Sequence, residues 1–410
     1  MTRVARILPD KGINRMVRVG IEFSFADDLW IGGVNGIGNL LHALKSLPQP
    51  RIEVILIASQ RTPESLFSQL PATPVLRTRL VDHADRTYLV RRANKWLLGN
   101  DILMDRWLRA NGVEVFSHCD SLGRRARTPT IGQIADFGYI AWKKLYPEAA
   151  FQRMHAGTGR VLNQYDTVMM PSFTVAEDYR RFFPEATAKA APLPIIPSEP
   201  VGQRSEEEFG QVRERYKLPE HFLYVPNQFW VHKNHGAIVE AMAILSREGR
   251  CPHVVSTGKT HDPRRPNHFD ELMQHADAVG VADRLHVLGL IPYPDTVTLM
   301  QHCVAVMSAS RFEGWGLTVA EARMLGKTII LSDIPVFREQ APEHGHFFDP
   351  DDTVTLARHM ATVAETYSPV VEGERRRRAQ LKLPRLIADY ARGYEDIVLD
   401  TLARKRGRAA

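Results

Sequence analysis

Residues 304–332, VAVMSASRFEGWGLTVAEARMLGKTIILS, carry the pattern that decides the fold. Val304–Ser308 is a short apolar run with the length and composition of a buried strand. A loop containing Gly314 and Gly316 follows it. Thr318–Leu325 then has helical spacing, and Gly326 is placed to end the helix because glycine adopts left-handed backbone freely. Thr328–Ser332 is a second apolar strand. Strand, glycine loop, helix and strand make a β-α-β unit. Its parallel strands put the loop at the carboxyl end of a sheet, where open α/β sheets bind ligands.

The same rhythm extends to either side. Phe222–Pro226, Val254–Gly258 and Leu285–Leu288 read as further strands, and Gly236–Arg247 as a helix. Nearer the start, Val17–Phe23 and Arg51–Ala58 are strands flanking a helical stretch, Gly33–Leu47. Val113–Ser117, Thr130–Ile134 and Thr167–Pro171 continue the series, with a helix expected across Ala84–Ala110. Pro192, Pro194, Pro197 and Pro200 interrupt both helix and central strand, so residues 190–208 read as a linker. The chain therefore divides into two Rossmann-like β/α domains facing each other across a cleft, residues 1–195 and 196–385. Leu386–Leu402 forms a closing amphipathic helix.

Composition narrows the classes. The chain has 410 residues, 44% hydrophobic and 24% charged, which excludes disordered and fibrous proteins. No run approaches the roughly 18 apolar residues of a membrane helix, and the basic start lacks the apolar core of a secretory signal. Cys119, Cys251 and Cys303 are odd in number and far apart. They read as small buried hydrophobes in a reducing, cytoplasmic setting. Residues 1–200 carry 26 Lys+Arg against 19 Asp+Glu, while residues 201–410 are nearly balanced. A basic first half attracts anionic partners, but no nucleic-acid-binding signature accompanies it.

The loops that follow strands hold the candidate chemistry. In the opening stretch, Gly314 and Gly316 allow close approach of a ligand, and the N–H groups of Leu317 and Thr318 open a helix start suited to an anion. Glu313 and Glu321 flank that site. Carboxylates beside a phosphate would repel it, so they suit vicinal hydroxyls of a ribose or sugar; the alternative for Glu321 is service to the helix dipole alone. Lys233, in NQFWVHKNHGA, sits at another strand's carboxyl end and can reach a phosphate between the two loops. His232 and His235 lack the carboxylate or cysteine company of a metal site. Asp136, in IADFGY, is either a sugar contact or a turn residue. SFADDLWIGGVNGIGN crowds Gly32, Gly33, Gly36 and Gly38 at a helix start, without a full G-x-G-x-x-G spacing.

These residues reach a known family. SRFEGWGLTVAEARMLGKTIILSDIPVFREQ, followed by HFFDPDD, resembles the E-x7-E region of retaining glycosyltransferases of family 4. YVPNQFWVHKNHGAIVEAMAIL resembles the donor-phosphate loop of a branch containing bacterial surface-polysaccharide mannosyltransferases. The resemblance implies the GT-B fold, with the last helix crossing back to the first domain. It implies that Glu321 holds a ribose and that Glu313 lies near the transferred sugar. Lys233 and the amides of Gly316–Thr318 would bind a diphosphate. Asn227, Gly258 and Gly314 join the donor-binding set, and Gly33 approaches the phosphates from the first domain. Asp136 joins Glu313 and Lys233 as a catalytic candidate. Two positions depart from the family pattern: Asn227 and Gln228 stand where an Arg is common, and Ala135 stands where a His precedes the Asp. Asp349-Pro350-Asp351 spells D-x-D, but it belongs to the HFFDPDD turn, so no metal centre is expected there and no cofactor is required.

The expected activity is transfer of a sugar from a nucleotide-diphosphate sugar, with GDP-mannose favoured, to a glycan or lipid-linked glycan. A sugar-nucleotide epimerase on the same fold is the first alternative, and a nucleic-acid-binding protein, suggested only by the basic first half, is the second. Arg86, Arg91, Arg92, Lys95, Arg106 and Arg109 are expected to hold the first domain peripherally on an anionic membrane surface.

Overall fold

The computed structural model describes residues 15–24, 31–68, 70–197 and 204–408. In chain order the first domain contains β1 (Val17–Glu22), α1 (Ile31–Lys45), β2 (Ile52–Ala58), α2 (Glu64–Ser68), β3 (Val75–Arg77), α3 (Arg86–Leu98), α4 (Ile102–Ala110), β4 (Val115–Ser117), β5 (Thr130–Gln133), α5 (Gly138–Ala141), α6 (Glu148–Leu162), β6 (Thr167–Met170), α7 (Phe173–Phe182) and β7 (Lys189–Pro192). The second contains α8 (Glu206–Tyr216), β8 (Leu223–Val225), α9 (His235–Arg247), β9 (Val254–Ser256), α10 (His268–Ala278), β10 (Leu285–Val287), α11 (Tyr293–His302), β11 (Ala305–Ser308), α12 (Leu317–Met324), β12 (Ile329–Ser332), α13 (Pro335–Gln340), β13 (Gly345–Phe348) and α14 (Thr353–Thr366). A final helix, α15, runs from Pro369 to Gly407.

Each domain is built on one parallel sheet. The first runs β3-β2-β1-β4-β5-β6-β7 and the second β10-β9-β8-β11-β12-β13. The strand order therefore reverses at β1/β4 in the first domain and at β8/β11 in the second. Such a reversal opens a crevice at the carboxyl ends of the central strands. Strands with helices on both faces must be apolar throughout, and β11, β12 and β6 are buried along their whole length.

Four local expectations are corrected. The helix expected across Ala84–Ala110 is two helices. Gly99 takes a left-handed φ of 65° after α3, and Asp101 caps α4 by accepting the Met104 N–H at 3.1 Å. The linker expected over residues 190–208 is shorter at both ends. Lys189–Pro192 is β7, an outer strand where Pro192 interrupts no central ladder, and Ser205 caps α8 through a reciprocal capping box with Glu208. The tail helix begins at Pro369 rather than Leu386 and continues through Pro384. Finally, the basic face is largely paired. Arg91 is 1% exposed and bonded to the buried Asp101 at 2.5 Å, Arg92 pairs with Asp120, Arg109 pairs with Asp105, and Lys95 donates to the Ser121 carbonyl.

The two halves of α15 serve different domains. Glu372 is bonded to the buried Lys327 and to Thr328 of the second domain. Beyond Pro384, Tyr390, Ala391, Tyr394 and Val398 join the core formed by β1, β2 and α1. Arg51 binds the 1%-exposed Glu395 through its backbone N–H at 2.6 Å and its guanidinium at 2.8 Å. The helix thus fastens the two domains together.

Candidate active site

The loops after β8 and β11 flank the reversal of strand order in the second sheet, and each delivers a charged side chain to it. The β8 loop makes a 3-10 turn at Val231–Lys233, which aims Lys233 toward its neighbour. Its Nζ donates to Glu313 Oε1 at 2.5 Å, and both side chains are nearly closed to solvent. The Ser310 hydroxyl donates to the same oxygen at 2.6 Å. A buried ion pair persists only when its geometry and hydrogen bonds repay desolvation. This one is organised before any ligand arrives.

Beside it, α12 starts at Gly316, whose φ is 82°, and no side chain caps it. The Phe337 ring would lie 2.6 Å from any Cβ at this position, so only glycine fits. Val319 and Ala320 donate back to the Gly316 carbonyl, and the dipole end at Leu317 and Thr318 faces the crevice. Gln340 Nε2 holds the loop from behind by donating to the carbonyls of Trp315 and Gly316. Thr318 Oγ1 donates to the Pro226 carbonyl at 3.2 Å and accepts from Asn227 at 3.4 Å, tying the two loops together. Gly258 lies beneath them with φ 135°, close against the Asn227 carbonyl.

Glu321 lies one turn into α12. Burial raises its pKa to about 7, partly offset by the Tyr293 hydroxyl, which donates at 2.9 Å. Its protonation is therefore balanced near neutrality and responds to whatever binds beside it.

The first domain closes the other side. A Cβ on Gly314 would lie 2.2 Å from the Ala135 carbonyl and 3.0 Å from Asp136 Cβ, so the two loops touch backbone to backbone. Ser172 donates to the Gly314 carbonyl at 2.9 Å, and Trp315 donates to the Ile195 carbonyl at 2.9 Å. Glu339 on α13 accepts from the N–H groups of Phe173 and Thr174, capping α7 across the domain boundary. Asp136 opens toward the cleft and accepts the Gly138 N–H at 2.7 Å. Surrounding protein raises its pKa, and the Glu313 charge adds to the shift, against Lys233 and Arg264. Asp136, Glu313 and Lys233 thus share one electrostatic neighbourhood.

Residues not singled out in the sequence also shape the site. Arg264 is clamped on the buried Asp262, contacts His232 at 3.3 Å and lies over the Trp230 ring. Tyr293 and Ser310 set the two glutamates. Arg264 and Tyr293 stand outside the strand-glycine-helix pattern and Ser310 is an unremarkable serine within it, so only spatial proximity reveals their part in the site. His232 and His235 are buried neutral, with pKa values lowered to about 4 and about 3, and His235 stacks on Phe229. Among the described residues no group of three or more His, Cys, Asp or Glu could hold a metal ion. Asp351 pairs with Arg311, while Asp349 accepts the Asp351 N–H within the turn leading to α14. Gly33 falls in the first turn of α1, and residues 25–30 of the glycine-rich loop lie outside the described residues.

Residues 205–380 match the family model described as glycosyl transferases group 1. The chain carries a group 1 glycosyltransferase domain. That domain contains the Lys233–Glu313 pair, the open start of α12 and Glu321. A serotype-specific mannosyltransferase, WbdA of Escherichia coli, is 26% identical over 159 residues, covering 38% of this chain and 19% of WbdA. The matched part is thus about a fifth of that relative's length. Among solved structures, a glycosyltransferase from Rickettsia africae aligns with a TM-score of 0.64 at 14% identity, over 94% of this chain and 99% of the other. Anabaena HepE in complex with UDP and glucose aligns at 0.57 and 15% identity, over 96% and 99%. The two sheets facing each other across a cleft are the GT-B fold. Among the described residues no helix is long and apolar enough to cross a membrane.

Proposed function

We propose that this glycosyltransferase retains anomeric configuration and moves a hexose, favouring mannose from GDP-mannose, to a glycan or lipid-linked glycan in surface-polysaccharide synthesis. The observation that carries the transferase reading is the Lys233–Glu313 pair, set at the strand-order reversal beside the uncapped start of α12. The similarity to WbdA supports mannose as the sugar.

In this reading the diphosphate rests between Lys233 and the N–H groups of Leu317 and Thr318. Charge builds on the β-phosphate as the bond to the anomeric carbon breaks. A preorganised cation and aligned amides stabilise that charge without reorganising, one such donor being worth on the order of 3 kcal/mol. Lys233 and the amides meet this charge without a metal ion. Glu313, already neutralised by Lys233, turns its remaining acceptor capacity to sugar hydroxyls, and Glu321 takes the ribose hydroxyls. Asp136 borders the sugar from the first domain. The acceptor hydroxyl attacks the anomeric carbon on the face the phosphate leaves, and the departing phosphate takes the hydroxyl proton. No enzymic nucleophile is needed.

The test is a thermal-shift screen with GDP-mannose, UDP-glucose, UDP-GlcNAc and TDP-sugars, followed by incubation of the stabilising donor with no acceptor. A ligand at about 100 times its Kd adds about 2.7 kcal/mol. Stabilisation by one donor, with its sugar left unchanged, supports the reading. Conversion of the sugar without acceptor shows an epimerase, and no stabilisation by any donor overturns nucleotide-sugar binding.

A further inference from the structure

The hairpin of α3 and α4 presents an apolar ridge to solvent. Leu89, Val90, Trp96, Leu97, Leu98 and Ile102 are all exposed, Trp96 to 83% and Leu97 to 70%. Clustered exposure of this kind marks an interaction surface. The left-handed Gly99 turns the chain sharply, bringing the end of α3 and the start of α4 to one corner. The loop carrying Arg124, Arg125 and Arg127 is fastened to that corner, since the Arg125 N–H donates to Asn100 Oδ1 at 2.8 Å. These three arginines, with Arg86 and Arg106, are exposed and have no carboxylate partner among the described residues. The nearby carboxylates are already used: Asp101 and Asp105 are buried, and Asp120 pairs with Arg92.

We propose that this corner is a docking element for an anionic bilayer surface. Trp96, Leu97 and Ile102 enter the boundary between headgroups and acyl chains, and the arginines engage lipid phosphates. Charge selects the occupant. A two-fold contact with a second copy would set like-charged arginines against one another, whereas an anionic lipid surface complements them. The apolar ridge carries a larger share of the binding than the sequence implied, because Arg91, Arg92, Lys95 and Arg109 are engaged within the protein.

Its location gives the docking a purpose. Arg91 is buried and interacts with Glu22, the last residue of β1, and Lys95 donates to Ser121, just past β4. α3 therefore lies along the carboxyl ends of β1 and β4, the first-domain rim of the cleft. A bilayer held there lies at the mouth of the site, and a lipid-linked acceptor reaches it without leaving the membrane. Docking itself does not depend on the proposed transfer; this last consequence does.

The experiment is co-sedimentation of the full chain with phosphatidylcholine vesicles, with and without phosphatidylglycerol, across a salt series. The variants are Trp96→Ser/Leu97→Ser and Arg124→Glu/Arg125→Glu. Wild type is expected to sediment with the anionic vesicles and to be only partly released by salt, since apolar insertion is not screened. The serine pair is expected to lower partitioning about tenfold or more, and the charge reversal to weaken low-salt binding and flatten the salt dependence. All four side chains are exposed, so unfolding midpoints and nucleotide-diphosphate binding should stay at wild-type values. Wild type that ignores anionic vesicles at low salt, or a serine pair that partitions like wild type, overturns the proposal. A concentration-dependent dimer abolished by the serine pair would assign the ridge to self-association and also overturn it. Loss of nucleotide binding by wild type would refute the transferase reading and leave the docking result standing.

Discussion

Replacing Glu321 by Gln should stabilise the ligand-free protein while weakening its grip on a nucleotide sugar. Burial raises the Glu321 pKa from 4.5 to about 7. Between those values the unfolded chain has lost its proton and the folded chain has kept it. Stability therefore falls as pH climbs through that window and stays low above it. At 1.36 kcal/mol per pKa unit, the shift sets a ceiling of about 3 kcal/mol above pH 7. The glutamine would keep the shape, and its amide oxygen can accept the Tyr293 hydroxyl now bonded to Glu321 at 2.9 Å. In urea titrations the variant should unfold at a higher midpoint than wild type near pH 8, and the two should converge near the unfolded pKa. Donor binding should move the opposite way. If the ionised carboxylate accepts ribose hydroxyls, wild-type affinity should fall with acidification below about pH 7, approaching tenfold per unit. The variant should bind more weakly and without that pH dependence, and a 2′,3′-dideoxy donor should bind both proteins alike. A variant less stable than wild type near pH 8, or unequal binding that persists with the dideoxy ligand, would refute the reasoning. Stored strain of this kind is expected where a site trades stability for function.

Lys233→Ala should weaken nucleoside-diphosphate binding by about 1.5–3 kcal/mol relative to nucleoside binding. It should also destabilise the fold by leaving Glu313 buried and unpaired, so Lys233→Ala/Glu313→Gln should recover urea stability without recovering affinity. Gly314→Ala would drive a methyl group to 2.2 Å from the Ala135 carbonyl. Separation of the loops should cost about 1–3 kcal/mol, seen as a lowered thermal midpoint with loss of donor-induced stabilisation. Glu339→Ala removes the carboxylate accepting the Phe173 and Thr174 N–H groups at 2.9 and 2.8 Å. It should cost about 1 kcal/mol, with faster amide exchange at the start of α7 as the readout.

The amino-acid sequence by itself determined the parallel β/α architecture, because buried strands must be apolar and glycine must stand where a loop turns sharply into a helix. It likewise placed Lys233 and Glu313 in loops that follow strands, and Glu321 in the helix that such a loop opens, since that follows from local order along the chain. Tertiary structure decided which of these groups meet. Lys233 and Glu313 are 80 residues apart and bond only because β8 and β11 are neighbours at the strand-order reversal. The Glu321 pKa depends first on burial by the packing around α12 and then on the opposing Tyr293 hydroxyl, neither of which a local pattern encodes. β7 was hidden because an outer strand tolerates the proline that a central one cannot. The basic first half shows the same division most clearly. Counting charge identified the arginines, but only the fold showed that Arg91 is buried on Asp101 while Trp96 faces solvent. Net charge is a sum along the chain, whereas pairing and exposure depend on distances in three dimensions.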